Sequence, residues 1–248
     1  MKRHLAVVIM AAGKGTRMKN PDMAKVMFPV NGKPMVEHVV DLALKLQSDR
    51  TIVIVGWKKE SVVDHLHASG KAVLCVEQSP QLGTGHAVMQ AEVPLRGFEG
   101  DVLVLSGDVP LLTYETMLKL IAHHRVTGSM ATVLTAELED PTGYGRIIRG
   151  PAGDVHAIVE QKDATGEQLG VREINSGIYV FEAAHLFDGL RHITPENAQH
   201  EYYLTDVFEY FWKSDLRVSA IAAPNPKEIQ GVNTVDQLRE AHEILRVA

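Results

Sequence analysis

The stretch that decides the fold is LAVVIMAAGKGTRMKNPDMAK, residues 5–25. Its first six residues are apolar with a β-branched centre, and small residues follow, so we predict a buried strand that delivers a loop to its carboxyl end. Gly13 and Gly15 lack Cβ atoms, so the loop backbone can approach a ligand closely and direct its N–H groups at phosphate oxygens. Four cations accompany the loop: Lys14, Arg17, Lys19 and Lys25. We therefore expect a phosphate-binding loop.

Two better-known glycine loops do not fit this stretch. A Walker A loop requires the spacing G-x-x-x-x-G-K-[ST], which the chain does not contain. A dinucleotide-binding fingerprint requires a third glycine at position 18, where the chain has Met18. An ordinary tight turn between strand and helix, with lysines on its surface, remains the structural alternative.

The charge of the chain is unevenly distributed. Residues 1–33 carry seven Lys or Arg and one acid, a net charge of +6, whereas the whole chain has a net charge of −6. An acidic protein repels polyanions at long range, so an anionic substrate must be captured by a local positive cleft. We therefore do not expect a nucleic-acid partner.

The composition indicates one α/β domain. A chain of 248 residues with 45% hydrophobic residues can bury a substantial core. Cys75 is the single cysteine, which excludes an internal disulfide and favours the cytoplasm. Lys2 and Arg3 before the apolar run imitate a secretion signal, but the run passes directly into Gly13, so we interpret it as a strand. No apolar stretch approaches the roughly 20 residues of a membrane span, and we expect no membrane partner.

Strand-like and helix-like segments alternate over the first half of the chain. This alternation predicts a Rossmann-like, mostly parallel sheet flanked by helices. The predicted strands cover residues 5–10, 51–55, 72–76 and 101–106, and the predicted helices 34–46, 59–66, 85–92 and 113–125.

The middle of the chain has a different pattern. Residues 132–138 and 173–181 are predicted strands, the second broken by Gly177, and a β-hairpin is predicted to turn around residues 150–154. We therefore divide the single domain of residues 1–248 into a core, residues 1–136 and 204–248, and a hairpin-rich subdomain, about residues 137–203. The core then ends with a helix over 207–213 capped by Thr205 or Asp206, a strand over 218–222 and a helix over 235–247.

Three polar residues stand where ligands collect in such sheets, beyond the carboxyl ends of strands or at helix starts. Thr84 can cap a helix whose amides favour an anion or a polar base edge. Asp108 follows the fourth strand, where a carboxylate can hold Mg²⁺ together with substrate phosphates. Capping of the next turn is the alternative for Asp108, and capping of the last helix is the favoured role of Asn233 considered alone.

Nine segments in order resemble the sugar-phosphate nucleotidyltransferases, and among them the N-acetylglucosamine-1-phosphate uridylyltransferases. The segments are AAGKGTRM, AKV, QLGTGHAV, GDVPLL, DPTGYGRI, VEQKDAT, EINSGIYVF, EYYLTDV and GVN. The resemblance covers nearly the whole chain. It implies Mg²⁺-dependent transfer of UMP from UTP to a sugar 1-phosphate, with N-acetylglucosamine 1-phosphate as the expected acceptor and pyrophosphate as the second product.

The resemblance also implies roles for individual residues. The nucleotide is expected at Ala11, Ala12, Gly13, Gly15, Gln78, Gly83, Thr84 and Gly107, with Gln78, Gly83 and Thr84 reading uracil. The sugar is expected in the hairpin-rich subdomain at Gly145, Glu160, Asn175 and Ser176. Mg²⁺ is expected at Asp108 and Asn233, and Arg17 and Lys25 are expected to neutralise the phosphates as catalytic residues.

Two departures from the family pattern matter. Ser176 stands where the family usually has Thr, which loosens the wall beside Asn175. The chain also has no hexapeptide repeats of the acetyltransferase β-helix. We therefore expect the uridylyltransferase activity alone, without the trimer that a β-helix enforces, and the sequence leaves the oligomeric state open.

Alternatives remain within and outside this class. A nucleotidyltransferase using another nucleoside triphosphate or another sugar 1-phosphate keeps the reaction and changes the substrate. A non-catalytic nucleotide-sugar sensor is a second alternative, although Lys25, Asp108 and Asn233 argue for catalysis. An NAD-dependent oxidoreductase does not fit, because the third glycine is missing.

Overall fold

The computed structural model describes residues 3–18, 20 and 22–247. Lys19, which the sequence analysis counted among the cations of the loop, lies outside the described residues.

Every predicted strand and helix is present, and two short strands within residues 29–34 and two helices over residues 166–169 and 183–190 are additional. The strands are β1 Leu5–Ala11, β2 Pro29–Val30, β3 Lys33–Pro34, β4 Arg50–Val55, β5 Leu74–Glu77, β6 Asp101–Ser106, β7 Ala131–Glu137, β8 Arg146–Arg149, β9 Val155–Val159, β10 Glu173–Glu182 and β11 Val218–Ala222. The helices are α1 Met35–Lys45, α2 Lys59–Ala68, α3 Thr84–Met89, α4 Tyr114–Thr127, α5 Gly166–Leu169, α6 Ala183–Leu190, α7 Asp206–Lys213 and α8 Val235–Val247.

A single mixed sheet forms the centre of the molecule. In the described part of the chain it has nine strands, with β11, β7, β10, β6, β1, β4 and β5 side by side in that order. β1 pairs in parallel with β4 and β6, and β4 pairs in parallel with β5. The carboxyl ends of these strands therefore lie at one edge of the sheet, where parallel sheets bind ligands.

Alternate residues of the buried strands face two hydrophobic cores. In β1, Val7 and Ile9 belong to the core beneath α1, α2 and α4, whereas Ala6 and Val8 belong to the core beneath α3, α6 and α7. Strands covered on both faces are continuous apolar runs, as in β1 and β6, because every side chain is buried. The predicted α/β class with a mostly parallel sheet flanked by helices is confirmed.

The predicted subdomain is joined to the core more closely than the sequence indicated. β8 and β9 form the expected hairpin around residues 150–154. β10, however, lies between β6 and β7 and runs antiparallel to both. Its register shifts between Asn175 and Tyr179, where Gly177 has a φ of +76°, as expected for the predicted break. The hairpin-rich region is thus an extension of the central sheet.

Candidate active site

The glycine loop after β1 is shaped around Lys25. Gly15 has a φ of +61°, and a Cβ atom there would overlap the side chain of Lys25. A Cβ at Gly13 would meet nothing within 4 Å, so the other side of the loop is open. Gly15 therefore makes room for the lysine, and Gly13 leaves room for a ligand.

Four predicted residues meet in one hydrogen-bonded cluster. Lys25 Nζ bonds to Asp108 Oδ2 and lies 2.6 Å from Asn233 Oδ1. Arg17 donates to the same Asn233 oxygen at 2.8 Å. The side chains of Lys25 and Asp108 are only 12% and 16% exposed, so their attraction is less screened than that of a surface pair. The two predicted catalytic residues and the two predicted metal ligands thus lie together.

Backbone contacts bring the two ends of the chain to this cluster. Gly107 N donates to Met10 O at 2.9 Å, which ties the loop after β6 to β1. Val232 N donates to Asp108 O at 2.9 Å, which places the segment before α8 beside that loop. A Cβ at Gly107 would lie 3.2 Å from Met10 O, so this glycine serves the close approach of two backbones.

Asn233 is not the cap of α8. Thr234 takes that place: its Oγ1 accepts from Gln237 N at 3.2 Å, and Gln237 Oε1 accepts from Thr234 N at 3.1 Å. This reciprocal pair is a capping box. The side chain of Asn233 is therefore available for the cluster, and its favoured role from sequence alone was wrong.

A cleft of about 490 Å³ runs along the glycine loop. Most of the residues predicted to bind the nucleotide line it, together with Lys25 and Asp108: Ala11, Ala12, Gly13, Gly15, Gln78, Gly83 and Thr84. Gly107 and Arg17 are not among its described lining residues. Sequence reasoning missed Gln81 and Glu201, which also line the cleft and are the first residues of the family-like segments QLGTGHAV and EYYLTDV.

The far wall of this cleft is built by two chain segments bonded to each other. Tyr202 N donates to Leu82 O at 2.8 Å, and Gly85 N donates to Tyr202 O at 2.7 Å. Gly83 has a φ of +107°, and a Cβ atom there would lie 2.6 Å from Tyr202 O. The glycine is therefore required both by its conformation and by the contact.

Two predicted contacts of this wall are made differently in the structure. Thr84 does not cap α3, because its Oγ1 accepts from Leu204 N at 3.0 Å, and Gly83 holds the capping position. The amide nitrogen of Gln78 donates to Gly83 O at 2.9 Å and contacts His86 Nδ1 at 3.1 Å. Its oxygen is therefore the atom that remains to meet a ligand.

A second cleft of about 220 Å³ lies beside the first and shares Met10, Thr84, Ser106 and Asp108 with it. The four residues predicted to bind the sugar line it: Gly145, Glu160, Asn175 and Ser176. Asn233 lines it as well, and so does Tyr144, which sequence reasoning missed although it stands between two glycines of DPTGYGRI. Burial, with a contribution from Asp108, raises the pKa of the Tyr144 hydroxyl.

Glu160 is a half-buried carboxylate that lines this second cleft. Burial raises its pKa, and repulsion from Asp163 and Glu201 adds to the increase, while the hydrogen bond from Thr205 opposes it. Thr205 Oγ1 donates to Glu160 Oε1 at 3.3 Å. Thr205 holds the N-cap position of α7, as one of the two predicted candidates, but makes no side-chain capping bond because its hydroxyl donates to Glu160. Asp206 is the first residue of the helix.

Asn175 and Ser176 are held by the bulge in β10. Asn175 Nδ2 donates to Tyr179 Oη at 2.8 Å, and its Oδ1 accepts from Gly177 N at 3.0 Å. Ser176 Oγ donates to Leu134 O at 2.6 Å and accepts from Ile178 N at 3.1 Å. Both side chains are thereby preorganised along one wall of the cleft.

The donor set at the centre fits a hard cation. Oxygens of Asp108 and Asn233 both approach a single positively charged atom, the Nζ of Lys25, so the two groups can share one cation. Carboxylate and amide oxygens are suitable Mg²⁺ ligands, and Mg²⁺ usually completes its shell with water and phosphate oxygens. The described residues hold no cluster of three or more His, Cys, Asp or Glu that could bind a metal by itself.

A family model described as nucleotidyl transferase matches residues 6–226. The chain belongs to this family. It is 50% identical over 239 residues to the bifunctional protein GlmU of Geobacillus thermodenitrificans, an alignment that covers 96% of this chain and 51% of that protein. It is 49% identical over 242 residues to GlmU of Geobacter metallireducens, covering 98% and 50%. The chain thus spans about half the length of the curated relatives that it matches.

The fold of this nucleotidyl transferase is also found in a solved structure. A UDP-glucose pyrophosphorylase complexed with UDP-glucose superposes with a TM-score of 0.79, covering 98% of this chain and 99% of that chain at 20% identity. At this identity the likeness shows the fold alone. None of the helices in the described residues is long and apolar enough to cross a membrane.

Proposed function

We propose that this nucleotidyl transferase transfers UMP from UTP to N-acetylglucosamine 1-phosphate and releases pyrophosphate. The observation that carries the proposal is the junction of two clefts at Asp108, one lined by the glycine loop and the other by Glu160 and Asn175. Curated relatives named GlmU at about half identity support the choice of this reaction within the family.

In this reaction a phosphate oxygen of the sugar 1-phosphate attacks the α-phosphorus of UTP, and the bond to pyrophosphate breaks. The nucleophile is already ionised, so no side chain has to remove a proton. Catalysis then consists of positioning the two substrates and stabilising the charge on the phosphates. The described residues around Asp108 provide cations and hydrogen-bond donors for this purpose.

Each part of the site has a role in this scheme. Lys25 and Arg17 neutralise charge on the phosphates. The open space at Gly13 lets the phosphates approach the backbone of the loop. Asp108 and Asn233 would hold Mg²⁺, which would neutralise negative charge on the phosphates. The amide oxygen of Gln78 would accept from N3–H of uracil.

The sugar belongs in the second cleft. The Glu160 carboxyl and the main chain at Gly145 lie close together, since a Cβ at Gly145 would be 3.4 Å from Glu160 Oε2. With Asn175 they offer polar groups to ring hydroxyls and to an acetamido group.

We place the reaction in the cytoplasm, where UTP is made and where a free thiol such as that of Cys75 is stable.

A pyrophosphate-release assay tests the proposal. UTP, CTP, GTP, ATP and dTTP are each combined with N-acetylglucosamine 1-phosphate or glucose 1-phosphate in the presence of Mg²⁺. We expect the highest kcat/KM with UTP and N-acetylglucosamine 1-phosphate. Faster turnover of another nucleotide would show that UTP is not the preferred substrate. Binding of UDP-sugar without any turnover would favour the alternative of a non-catalytic nucleotide-sugar sensor.

A further inference from the structure

Arg146 is a buried cation at the start of β8. Its side chain is among the largest fully buried ones, with the residue 2% exposed. One guanidinium nitrogen donates to Tyr144 O, and the other terminal nitrogen donates to Gln161 Oε1 at 3.2 Å. Within the described part of the chain Arg146 forms no ion pair, and its Nε has no hydrogen-bond partner.

Such a residue is costly for stability. Desolvation of a charge that forms no ion pair opposes folding, although Arg146 attracts the Asp140 carboxylate at longer range and helps to lower its pKa. Apolar replacements of buried charges are often neutral or stabilising. A local arrangement that costs stability without an evident structural gain is typical of a functional requirement. The contacts of Arg146 show where that requirement lies.

Those contacts hold one loop, residues 143–145, by its backbone. Gln161 Oε1, which accepts from Arg146, also accepts from Gly143 N at 2.7 Å. Arg146 itself bonds to Tyr144 O, and Asn175 N donates to Gly145 O at 2.9 Å. Polar groups on three neighbouring residues are therefore fixed at once.

This loop is one wall of the smaller cleft. Gly143, Tyr144 and Gly145 all line it, whereas Arg146 and Gln161 are not among its described lining residues. Gly143 has a φ of +91°, a conformation that other residues adopt at a cost. Without its external bonds, a glycine-flanked loop of this kind has many conformations available.

We propose that Arg146 and Gln161 are positioning residues that clamp the 143–145 loop against Glu160 and Asn175, and so set the affinity for the sugar 1-phosphate. The inference rests on the proposed function for the identity of this substrate. The clamp acts on the second cleft only, because its bonds reach none of the described lining residues of the nucleotide cleft. It therefore predicts an effect on one substrate and not on the other.

The test compares Arg146→Lys with Arg172→Lys. Lysine keeps the charge at position 146 but cannot bond to Tyr144 O and Gln161 together. Arg172 is a matched control, since it lies in the same region and its Nε also donates to a backbone oxygen, that of Leu138, at 3.1 Å. For Arg146→Lys we expect the KM of the sugar 1-phosphate to rise about tenfold, because small misplacements at a site are costly. The KM of UTP should stay within about twofold, and Arg172→Lys should change neither value.

Gln161 provides a second pair of variants. Gln161→Leu removes the shared acceptor and should raise the KM of the sugar 1-phosphate. Gln161→Glu keeps an acceptor, and its KM for the sugar 1-phosphate should be close to the wild-type value. Hydrogen exchange of the 140–146 segment gives a readout that does not depend on turnover. Exchange should be faster in Arg146→Lys and Gln161→Leu than in the wild type and in Arg172→Lys.

The outcomes separate the clamp from the proposed function. Faster exchange with a selective rise in the KM of the sugar 1-phosphate supports the clamp. Equal changes in both KM values, or unchanged exchange in the variants, would overturn it. A wild-type protein without transfer activity would refute the proposed function, while hydrogen exchange would still decide whether the two residues hold the loop.

Discussion

Among single residues, Lys25 is the one whose replacement we expect most clearly to reduce kcat. Its ammonium group bonds to both Asp108 and Asn233, so it is held in position before any phosphate arrives. Removing one preorganised charge that stabilises a transition state costs on the order of 10²–10³ in rate, about 3–4 kcal/mol. We expect Lys25→Ala to lose this much in kcat, with a small decrease in Tm, measured by pyrophosphate release and thermal unfolding.

Lys33→Ala is the matched control for charge removal. Lys33 belongs to the same positive N-terminal stretch but pairs with Asp41 at 2.6 Å, away from the described lining of both clefts. Its replacement should leave kcat unchanged. A large fall in Tm of Lys25→Ala with little loss of kcat would instead give Lys25 a structural role.

Asp108 should show a dependence on the divalent cation. Asp108→Asn keeps the shape of the side chain but removes the negative charge that attracts Mg²⁺. We expect kcat to fall by at least about 10²-fold, and wild-type turnover to stop in EDTA and return with added Mg²⁺. The circular dichroism spectrum should be unchanged. Full activity of the variant, or of the wild type in EDTA, would show that the metal assignment is wrong.

The sequence predicted the position of the site residues better than their contacts. Lys25 was selected as a cation of the glycine loop, Asp108 as a carboxylate after the fourth strand and Asn233 from motif resemblance, and the structure brings all three together. Sequence alone favoured a capping role for Asn233 because Asn is a common N-cap. Its neighbour Thr234 is an equally suitable cap, and only the backbone geometry decides between the two. Likewise, the donor of Gln78 is used within the protein, and a sequence cannot show which polar atoms are already bonded.

At the scale of elements, the wall opposite the glycine loop depends on Gly83. Gly83→Ala would place a methyl group against Tyr202 O, in a backbone conformation of φ +107° that alanine adopts poorly. The conformational strain costs about 1–3 kcal/mol, because φ +107° with ψ 177° is a region essentially restricted to glycine, and the overlap costs a further ~1–3 kcal/mol. We expect a lower midpoint of urea unfolding and a higher KM for UTP.

Gly97→Ala separates strain from overlap. Gly97 also has a positive φ, +70°, but a Cβ atom there would meet nothing within 4 Å. Its replacement should cost the strain alone and leave the KM of UTP unchanged. If the two variants lost equal stability and bound UTP equally well, contact with the 201–204 segment would not be what requires Gly83.

The start of α7 should make stability depend on pH. Burial, with repulsion from Glu209, Glu160 and Asp163, raises the pKa of Asp206 from 3.8 to about 6. The folded protein therefore binds a proton between about pH 4 and 6 that the unfolded chain has released, so this group lowers stability as pH rises through that window. At pH 7.5, Asp206→Asn should increase the free energy of unfolding by about 1 kcal/mol and raise Tm accordingly. At pH 4 it should leave Tm unchanged.

An exposed carboxylate is the control for this effect. Asp64 lies on the exposed face of α2, and Asp64→Asn should give the same difference in Tm from the wild type at both pH values. A pH-independent gain in Asp206→Asn would mean that replacing the side chain, and not removing a buried charge, stabilises the protein.

Strands and helices of the parallel half were predicted to within a few residues, whereas β10 was predicted as a strand without its partners in the sheet. β1 and β6 are recognisable in the sequence as apolar runs bounded by polar residues, because this pattern depends only on neighbouring residues. The pairing partners of β10 are β6 and β7, which lie far away in sequence, and its alternation is equally compatible with a separate hairpin region. Register between distant strands depends on the whole fold, so a local pattern cannot specify it.

At the scale of the molecule, the proposed function depends on two clefts that are both lined by Asp108. The glycine loop lies on one side, and the extension of the central sheet lies on the other. The cleft proposed for the sugar is polar: Glu160 is half-buried there with a raised pKa, and Asn175 is fixed by two hydrogen bonds. Such groups reject a substrate that leaves them unpaired more strongly than an apolar wall rejects an additional atom.

We therefore expect N-acetylglucosamine 1-phosphate to be preferred over glucose 1-phosphate, and Ser176 to set how strongly. The Ser176 hydroxyl is held by Leu134 O and Ile178 N, and threonine can make the same two bonds, so Ser176→Thr adds only a methyl group beside Asn175. A methyl-sized change is worth ~1–3 kcal/mol in discrimination. Ser176→Thr should widen the ratio of kcat/KM values for the two sugar phosphates by about tenfold, with the KM of UTP unchanged. Equal kcat/KM values in the wild type, or a preference for glucose 1-phosphate, would refute the acetamido assignment and leave nucleotidyl transfer standing, because the groups around Lys25 and Asp108 do not contact the sugar ring in this scheme.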